Sequence, residues 1–156
     1  MSKLVIGIDI GSRGGIAVVG NMNIDYQLLG SVSSWKKFVD KYKPSLVVFE
    51  DLHSIYGASA KSNFQFGVNN GIVMGALEAM GIKYEVVAPK KWQKYIWKPE
   101  DIVKFDDKID TKATSLNAAR RLFPNEKFIA SSRSFVPHDG IVDAVLIAIY
   151  GYDCCL

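Results

Sequence analysis

Near the start of this chain a single carboxylate stands inside an apolar run. In LVIGIDIGSRGGIAVVG, Leu4 to Gly20, Asp9 lies among Val5, Ile6, Ile8 and Ile10. β-Branched residues at that density predict a buried strand over Lys3 to Ile10. GSRGG predicts a turn, and Ile16 to Val19 a second strand that returns as a hairpin. An unpaired carboxylate in such a setting costs several kcal/mol, so Asp9 requires a cation, a set of donors or a metal ion. A fold for this chain must bring one of these to Asp9.

At 156 residues, 49% hydrophobic and 22% charged, the chain is expected to form one domain, residues 1–156. A chain of this size buries roughly two-thirds of its unfolded surface. No apolar run approaches the roughly 18 residues of a membrane span, and a carboxylate by residue 9 leaves no secretory h-region, so a cytoplasmic location is expected. Cys154 and Cys155 are adjacent, where a mutual disulfide would be strained, and reduced thiols are expected. The net charge is +3, but setting aside four carboxylates assigned below leaves 12 acidic against 19 basic side chains. That surplus fits a polyanionic partner such as nucleic acid.

Asn23 to Gly30 reads as a third, antiparallel strand near an edge. In SWKKFVDKYK, capped by Ser33 or Ser34, Trp35, Phe38, Val39 and Tyr42 recur at helical spacing, and Pro44 ends the helix. Ser45 to Phe49 is continuously apolar, as in a central parallel strand, and runs into Glu50 and Asp51. Working groups of open α/β sheets gather beyond the carboxyl ends of strands, so Glu50 is placed beside Asp9. A long helix is expected from Asn63 to Met80, closed by Gly81, with Gly67, Gly71 and Gly75 on one face for close approach to the sheet or to a partner helix. Near its start, Lys61, Phe64 and Phe66 are candidates for DNA contact and base stacking, core packing being the alternative for the rings.

Lys83 to Ala88 reads as another strand. Pro89 opens KKWQKYIWK, whose Lys90, Lys91, Lys94 and Lys98 interleave with Trp92, Tyr95 and Trp97. That composition suits either a phosphate-tracking surface with stacking rings or an amphipathic helix whose aromatics are core. Pro99 to Asp110 is expected to be a mobile, acid-rich connection. Thr111 to Phe123 is expected to be a helix burying Ala113, Leu116, Ala119 and Leu122, with Arg120 and Arg121 near its end. A last, strongly apolar helix starts at Asp139, and Asp143 lies one turn further on the same face. Their repulsion and desolvation raise at least one pKa unless a cation compensates; a helix cap accounts for Asp139 but not for both.

Asp9, Glu50, Asp139 and Asp143 thus form a candidate catalytic and metal-binding set with no Ser, Cys or His nucleophile beside it. Hard oxygen donors suit Mg²⁺ or Mn²⁺, and two such ions can clamp the attacking and leaving oxygens of a phosphodiester. Metal-assisted phosphodiester hydrolysis is the expected chemistry.

In order and spacing, GIDIGSRGGIAVV, VVFED and HDGIVDAVLIA resemble the motifs of RuvC-type Holliday junction resolvases of the ribonuclease H-like superfamily, in particular the short phage-encoded branch. KATSLNAARRLFP extends the match over nearly the whole chain. The resemblance implies an α/β fold: a five-stranded mixed sheet in order 3-2-1-4-5, the first three strands antiparallel, flanked by helices. It also implies a homodimer and divalent-metal cleavage of branched DNA, with four-way junctions as substrate and forks and flaps as further candidates. Asp9, Glu50, Asp139 and Asp143 take its four acidic positions.

Two departures matter. The bacterial family spaces its final pair by three residues, where this chain has Gly140, leaving Asp139 or His138 as the fourth ligand. His53 stands where that family carries an aromatic wedge, for which Tyr56, Phe64 or Phe66 could substitute. Independently of the family, two symmetric cuts require two acid clusters and hence a C₂ pair, with the 63–80 helix as candidate interface. Two rival functions fit part of the same sequence. GIDIGS also resembles the phosphate hairpin of actin-like and sugar-kinase domains, although no second such hairpin follows. A non-catalytic junction-binding module would use the acids for structure alone.

Overall fold

A computed structural model describes residues 2–21, 23–51 and 57–156. At its centre is a five-stranded sheet in the order β3-β2-β1-β4-β5. The strands are β1 (Val5–Asp9), β2 (Gly15–Gly20), β3 (Asn23–Leu28), β4 (Leu46–Glu50) and β5 (Tyr84–Val87). The first three are antiparallel, β4 runs parallel to β1, and β5 parallel to β4. This is the expected mixed order. Among the described residues five α-helices accompany the sheet: α1 (Val32–Tyr42), α2 (Ala60–Ala79), α3 (Pro89–Ile96), α4 (Thr111–Leu122) and α5 (Asp139–Cys154). Among the described residues no helix is long and apolar enough to cross a membrane.

The period of two along each strand divides the core into two layers. Ile6, Ile8, Ile16, Val18, Val47 and Phe49 pack with Trp35, Phe38 and Val39 of α1 and with Val73 and Leu77 of α2. Val5, Ala17, Val19, Leu46, Val48 and Val87 face the other way, against α5 and the inner residues of α3 and α4. By the same alternation Asp9 and Glu50 fall on the α5 face. The parallel pairing of Ile8 with Phe49 sets the two carboxylates side by side at the carboxyl ends of their strands.

Helix α5 lies against β1 and β2, and glycine sets how closely. A Cβ on Gly7 would come within 2.2 Å of the Ala144 carbonyl oxygen, so only glycine admits the helix here. That approach brings Asp143, the residue before Ala144, over the end of β1.

Several boundaries differ from the sequence-based expectation for local reasons. Ser31, not Ser33 or Ser34, caps α1, accepting a hydrogen bond from the Ser34 amide at 3.3 Å. α2 begins three residues early because the Ser59 hydroxyl accepts from the Ser62 amide at 3.1 Å. Its Gly67, Gly71 and Gly75 do not approach the sheet; a Cβ on any of them would meet nothing within 4 Å. In α4 the buried face is Thr114, Ser115, Ala118 and Ala119, whereas Leu122 is exposed and Ala113 and Leu116 are partly covered. The small and hydroxyl residues win that face because α4 packs close to α5.

The expected mobile connection from Pro99 to Asp110 is built structure. A 3-10 turn, Pro99–Asp101, leads to the hairpin β6 (Lys104–Phe105) and β7 (Lys108–Ile109), turning on Asp106 and Asp107 at φ 47° and 60°. Two successive positive φ values fit the type I′ turn of a two-residue hairpin. The segment is anchored by Asp101, 2% exposed, whose carboxylate accepts from Arg121 Nη2 at 2.8 Å and from the Lys98 amide at 2.8 Å. His53 and Tyr56, two of the wedge positions considered above, lie outside the described residues.

Candidate active site

Four carboxylates from three elements meet at one end of the sheet. Asp9 and Glu50 close β1 and β4, while Asp139 and Asp143 stand in the first turns of α5. A cleft of about 210 Å³ is lined by Asp9, Arg13, Lys112, His138, Asp139, Gly140 and Asp143. The electrostatics register their proximity. Asp9 is pushed up from 3.8 to about 8, first by burial and then by the charges of Asp143, Glu50 and Asp139. Asp143 is pushed up to about 7 by burial and by Glu50 and Asp139, against the lowering effect of a Ser115 hydrogen bond and of Lys112. Glu50 is raised by burial, opposed by Trp92 Nε1, which donates to its Oε1 at 2.7 Å.

Local packing decides which residues of the α5 entry carry the acids. The His138 side chain caps the helix, its Nδ1 accepting from the Ile141 amide at 3.4 Å. Burial and the neighbouring Arg13 lower the His138 pKa, which favours the neutral ring that capping needs. Capping therefore falls to His138, and the Asp139 carboxylate is instead paired with Lys112 Nζ at 3.1 Å. Gly140 occupies the position three residues before Asp143. A Cβ there would lie 2.2 Å from the Arg13 carbonyl oxygen, so no acidic side chain fits. The change of spacing from three to four follows: the first-turn acid is displaced to the neighbouring residue that has room.

Asp9, Glu50, Asp139 and Asp143 are thus brought to one end of the sheet. The candidate DNA contacts are not part of this cleft. Lys61 and Phe64 are exposed on the first turns of α2, and Phe66 is partly covered. Lys90, Lys91 and Lys94 are exposed on α3. Burial decides the α3 aromatics one by one: Trp92 is 1% exposed and belongs to the core, Trp97 is half-buried and packs edge-on against it at 6.2 Å, whereas Tyr95 packs against Tyr150 at 5.7 Å and stays 44% exposed. Trp92 is nonetheless a site residue, because its indole orients Glu50. It was missed, as were Lys112, Ser115 and Arg13. A lysine in the first turn of α4 carries no spacing signal linking it to Asp139, and a buried serine or tryptophan reads as core.

The described residues contain no group of three or more His, Cys, Asp or Glu side chains already arranged to hold a metal ion. The donor set nevertheless fits a hard divalent cation: oxygen-only, partly desolvated and mutually repelling, with Lys112 the one cation paired to any of the four among the described residues. Such acids close on a common point only when positive charge offsets their repulsion.

No family model matches this sequence, and no curated protein matches it. Solved structures do. Thermus thermophilus RuvC in complex with a Holliday junction substrate aligns with a TM-score of 0.67 at 15% identity, covering 96% of this chain and 93% of that one. Another structure of T. thermophilus RuvC aligns at 0.55 and 14% identity, with 96% of each chain covered. The fowlpox virus resolvase in complex with Holliday junction DNA aligns at 0.56 and 13% identity, covering 98% of this chain and 99% of that one. The fold is that of the RuvC-like resolvases. Within a RuvC-like fold, the cluster described above sits where β1, β4 and α5 converge.

Proposed function

We propose that this protein is a divalent-metal-dependent, structure-selective DNA endonuclease that cleaves four-way junctions and other branched DNA, of the kind encoded by phages. The observation that carries the reading is the convergence of Asp9, Glu50, Asp139 and Asp143 on one end of the sheet in a RuvC-like fold, where burial first and then the charges of the other three push Asp9 up to about 8. A purely structural role would pair these acids with cations, whereas only Asp139 has such a partner among the described ion pairs.

In this reading Asp9, Glu50, Asp139 and Asp143 hold Mg²⁺ or Mn²⁺, two ions per site. Such ions, when bound, would supply Lewis-acid activation of an attacking water and charge neutralisation at the leaving 3′-oxygen. The chain's own residues prepare the rest. Trp92 fixes the Glu50 carboxylate by its 2.7 Å hydrogen bond. Asp9 and Asp143 hold protons near neutrality and release them as positive charge arrives. Lys112 neutralises Asp139 in the free protein and can turn to a phosphate oxygen when the carboxylate is otherwise engaged. Arg13, exposed at the rim, offers a second phosphate contact.

Lys61, Phe64 and Phe66 on α2 and Lys90, Lys91 and Lys94 on α3 are the proposed flanking DNA contacts. Two symmetric cuts call for a homodimer. Helix α2 supports that assignment, since Gly67, Gly71 and Gly75 are open and Val68, Ile72 and Met74 are exposed beside them. The test is incubation of end-labelled four-way, forked and linear DNA with the protein and Mg²⁺ or Mn²⁺. Paired symmetric cuts in the four-way substrate, lost in Asp9→Asn, are expected. Nucleotide-dependent stabilisation without any cleavage would refute the reading in favour of a kinase-like domain.

A further inference from the structure

Between α4 and His138 the chain plays no part in the site as described, yet it presents the most exposed large apolar side chain among the described residues. Phe135 is 96% exposed and the neighbouring Val136 is 74% exposed. This is not a loosely attached end. Phe128, fully buried at φ 53°, accepts from the His138 amide at 2.8 Å, and its own amide donates to the Tyr26 hydroxyl at 3.2 Å. A turn from Ser131 to Ser134, closed by a 3.0 Å backbone hydrogen bond, then sets the tip. The base of the loop is fixed and an aromatic ring is held in water at its end. An exposed apolar group on a fixed support marks a contact surface rather than core.

Position and charge identify the occupant. A cleft of about 400 Å³ is lined by Phe135 and Pro137 together with Arg120 and Lys127. Pro137 lines this cleft and His138, the next residue, lines the acid cleft, so a single peptide link joins the two linings. Arg133 is exposed at the tip, and Glu126, the one acid on this cleft, is engaged by the Tyr26 hydroxyl at 3.0 Å. A cationic cleft with an unpartnered ring at its mouth, beside a phosphodiester site, matches a polyanion that carries flat apolar faces. In a fully paired duplex those faces are stacked and unavailable, whereas at a branch point they are not.

We propose that the 131–137 loop grips the strand next to the cut, with Phe135 stacking on a base left unpaired at the branch point while Arg133 and Lys127 take the adjoining phosphates. This inference rests on the nuclease reading. It adds a branch-recognition element separate from α2 and α3.

The test uses the full chain, chelator to prevent cleavage, and fluorescence anisotropy with four-way, forked and linear DNA. Phe135→Ala is expected to weaken binding to branched DNA about tenfold and to linear duplex less than about twofold. Its melting temperature should match wild type, because the ring buries nothing. Phe135→Trp should retain affinity, and its indole emission should be quenched when junction DNA is added. Three results would overturn the proposal: wild-type affinity for branched DNA in Phe135→Ala; an equal loss on linear duplex, which would make the loop a backbone contact only; or a change in oligomeric state, which would make the ring a protein contact. A wild-type protein that neither binds nor cuts any of the DNAs would instead refute the nuclease reading itself, and this proposal with it.

Discussion

Replacing Asp9 by Asn should make the metal-free protein more stable while removing the cleavage activity proposed for it. Burial and the charges of Asp143, Glu50 and Asp139 push Asp9 from 3.8 to about 8. The unfolded chain releases this proton near pH 4, whereas the folded chain keeps it until about pH 8. The folded state therefore binds more protons, and stability is lost as the pH climbs through that window, by at most ~6 kcal/mol at about 1.36 kcal/mol per pH unit. Water entry and side-chain rearrangement in an open cleft absorb much of this, leaving a gain of ~2 kcal/mol for Asp9→Asn at pH 8.5. For a chain of this size that is a rise of roughly 4–8 °C in melting temperature. The assay is thermal melting of both proteins in chelator at pH 4, 6 and 8.5, then with millimolar Mg²⁺. The gap should be absent at pH 4, grow to pH 8.5 and narrow with Mg²⁺, because the ion stabilises the wild type more. Cleavage by Asp9→Asn should fall at least about a hundredfold. A pH-independent gap, or an Asn variant less stable than wild type at pH 8.5, would refute the argument that burial and the neighbouring acids penalise the Asp9 charge in the free protein.

Trp92→Phe keeps most of the packing but removes the donor to Glu50 Oε1; cleavage should drop about tenfold and need more Mg²⁺, measured by metal titration of the initial rate. Arg121→Ala strands the buried Asp101 carboxylate and the Ile96 carbonyl and should cost ~3 kcal/mol, read from the urea midpoint. Gly140→Ala should displace the start of α5 from the Arg13 and Gly14 backbone, lowering both melting temperature and cleavage; an unchanged melting temperature would mean that α5 has slack at this point.

How much of this was legible in the sequence can be seen residue by residue. Asp9 inside β-branched residues, Glu50 at the end of an apolar run and Asp139 with Asp143 at helical spacing are local patterns, and local patterns also carry strand and helix type. The order of the sheet was implied by resemblance and is found in the structure. Cap and boundary residues were less accessible because several serines compete at each helix start: Ser31 prevails over Ser33 and Ser34, and Ser59 starts α2 early. The Pro99 to Asp110 segment was misread because its acids look solvated, while one of them, Asp101, is buried against an arginine 20 residues away. Of the expected α4 stripe Ala113, Leu116, Ala119 and Leu122, Ala119 is buried, but close packing on α5 selects Thr114, Ser115 and Ala118 in place of the rest.

The sequence by itself determined which strand and α5 residues must be buried and where charge inside those elements would be costly, because periodicity and desolvation act over a few neighbouring residues. The tertiary structure decided what surrounds those acids. Trp92 beside Glu50, Lys112 beside Asp139, and Gly140 with no room for a side chain are consequences of three elements converging, and such contacts have no fixed separation along the chain. It also set Phe135 in open water next to the site, since exposure depends on what the rest of the molecule leaves uncovered.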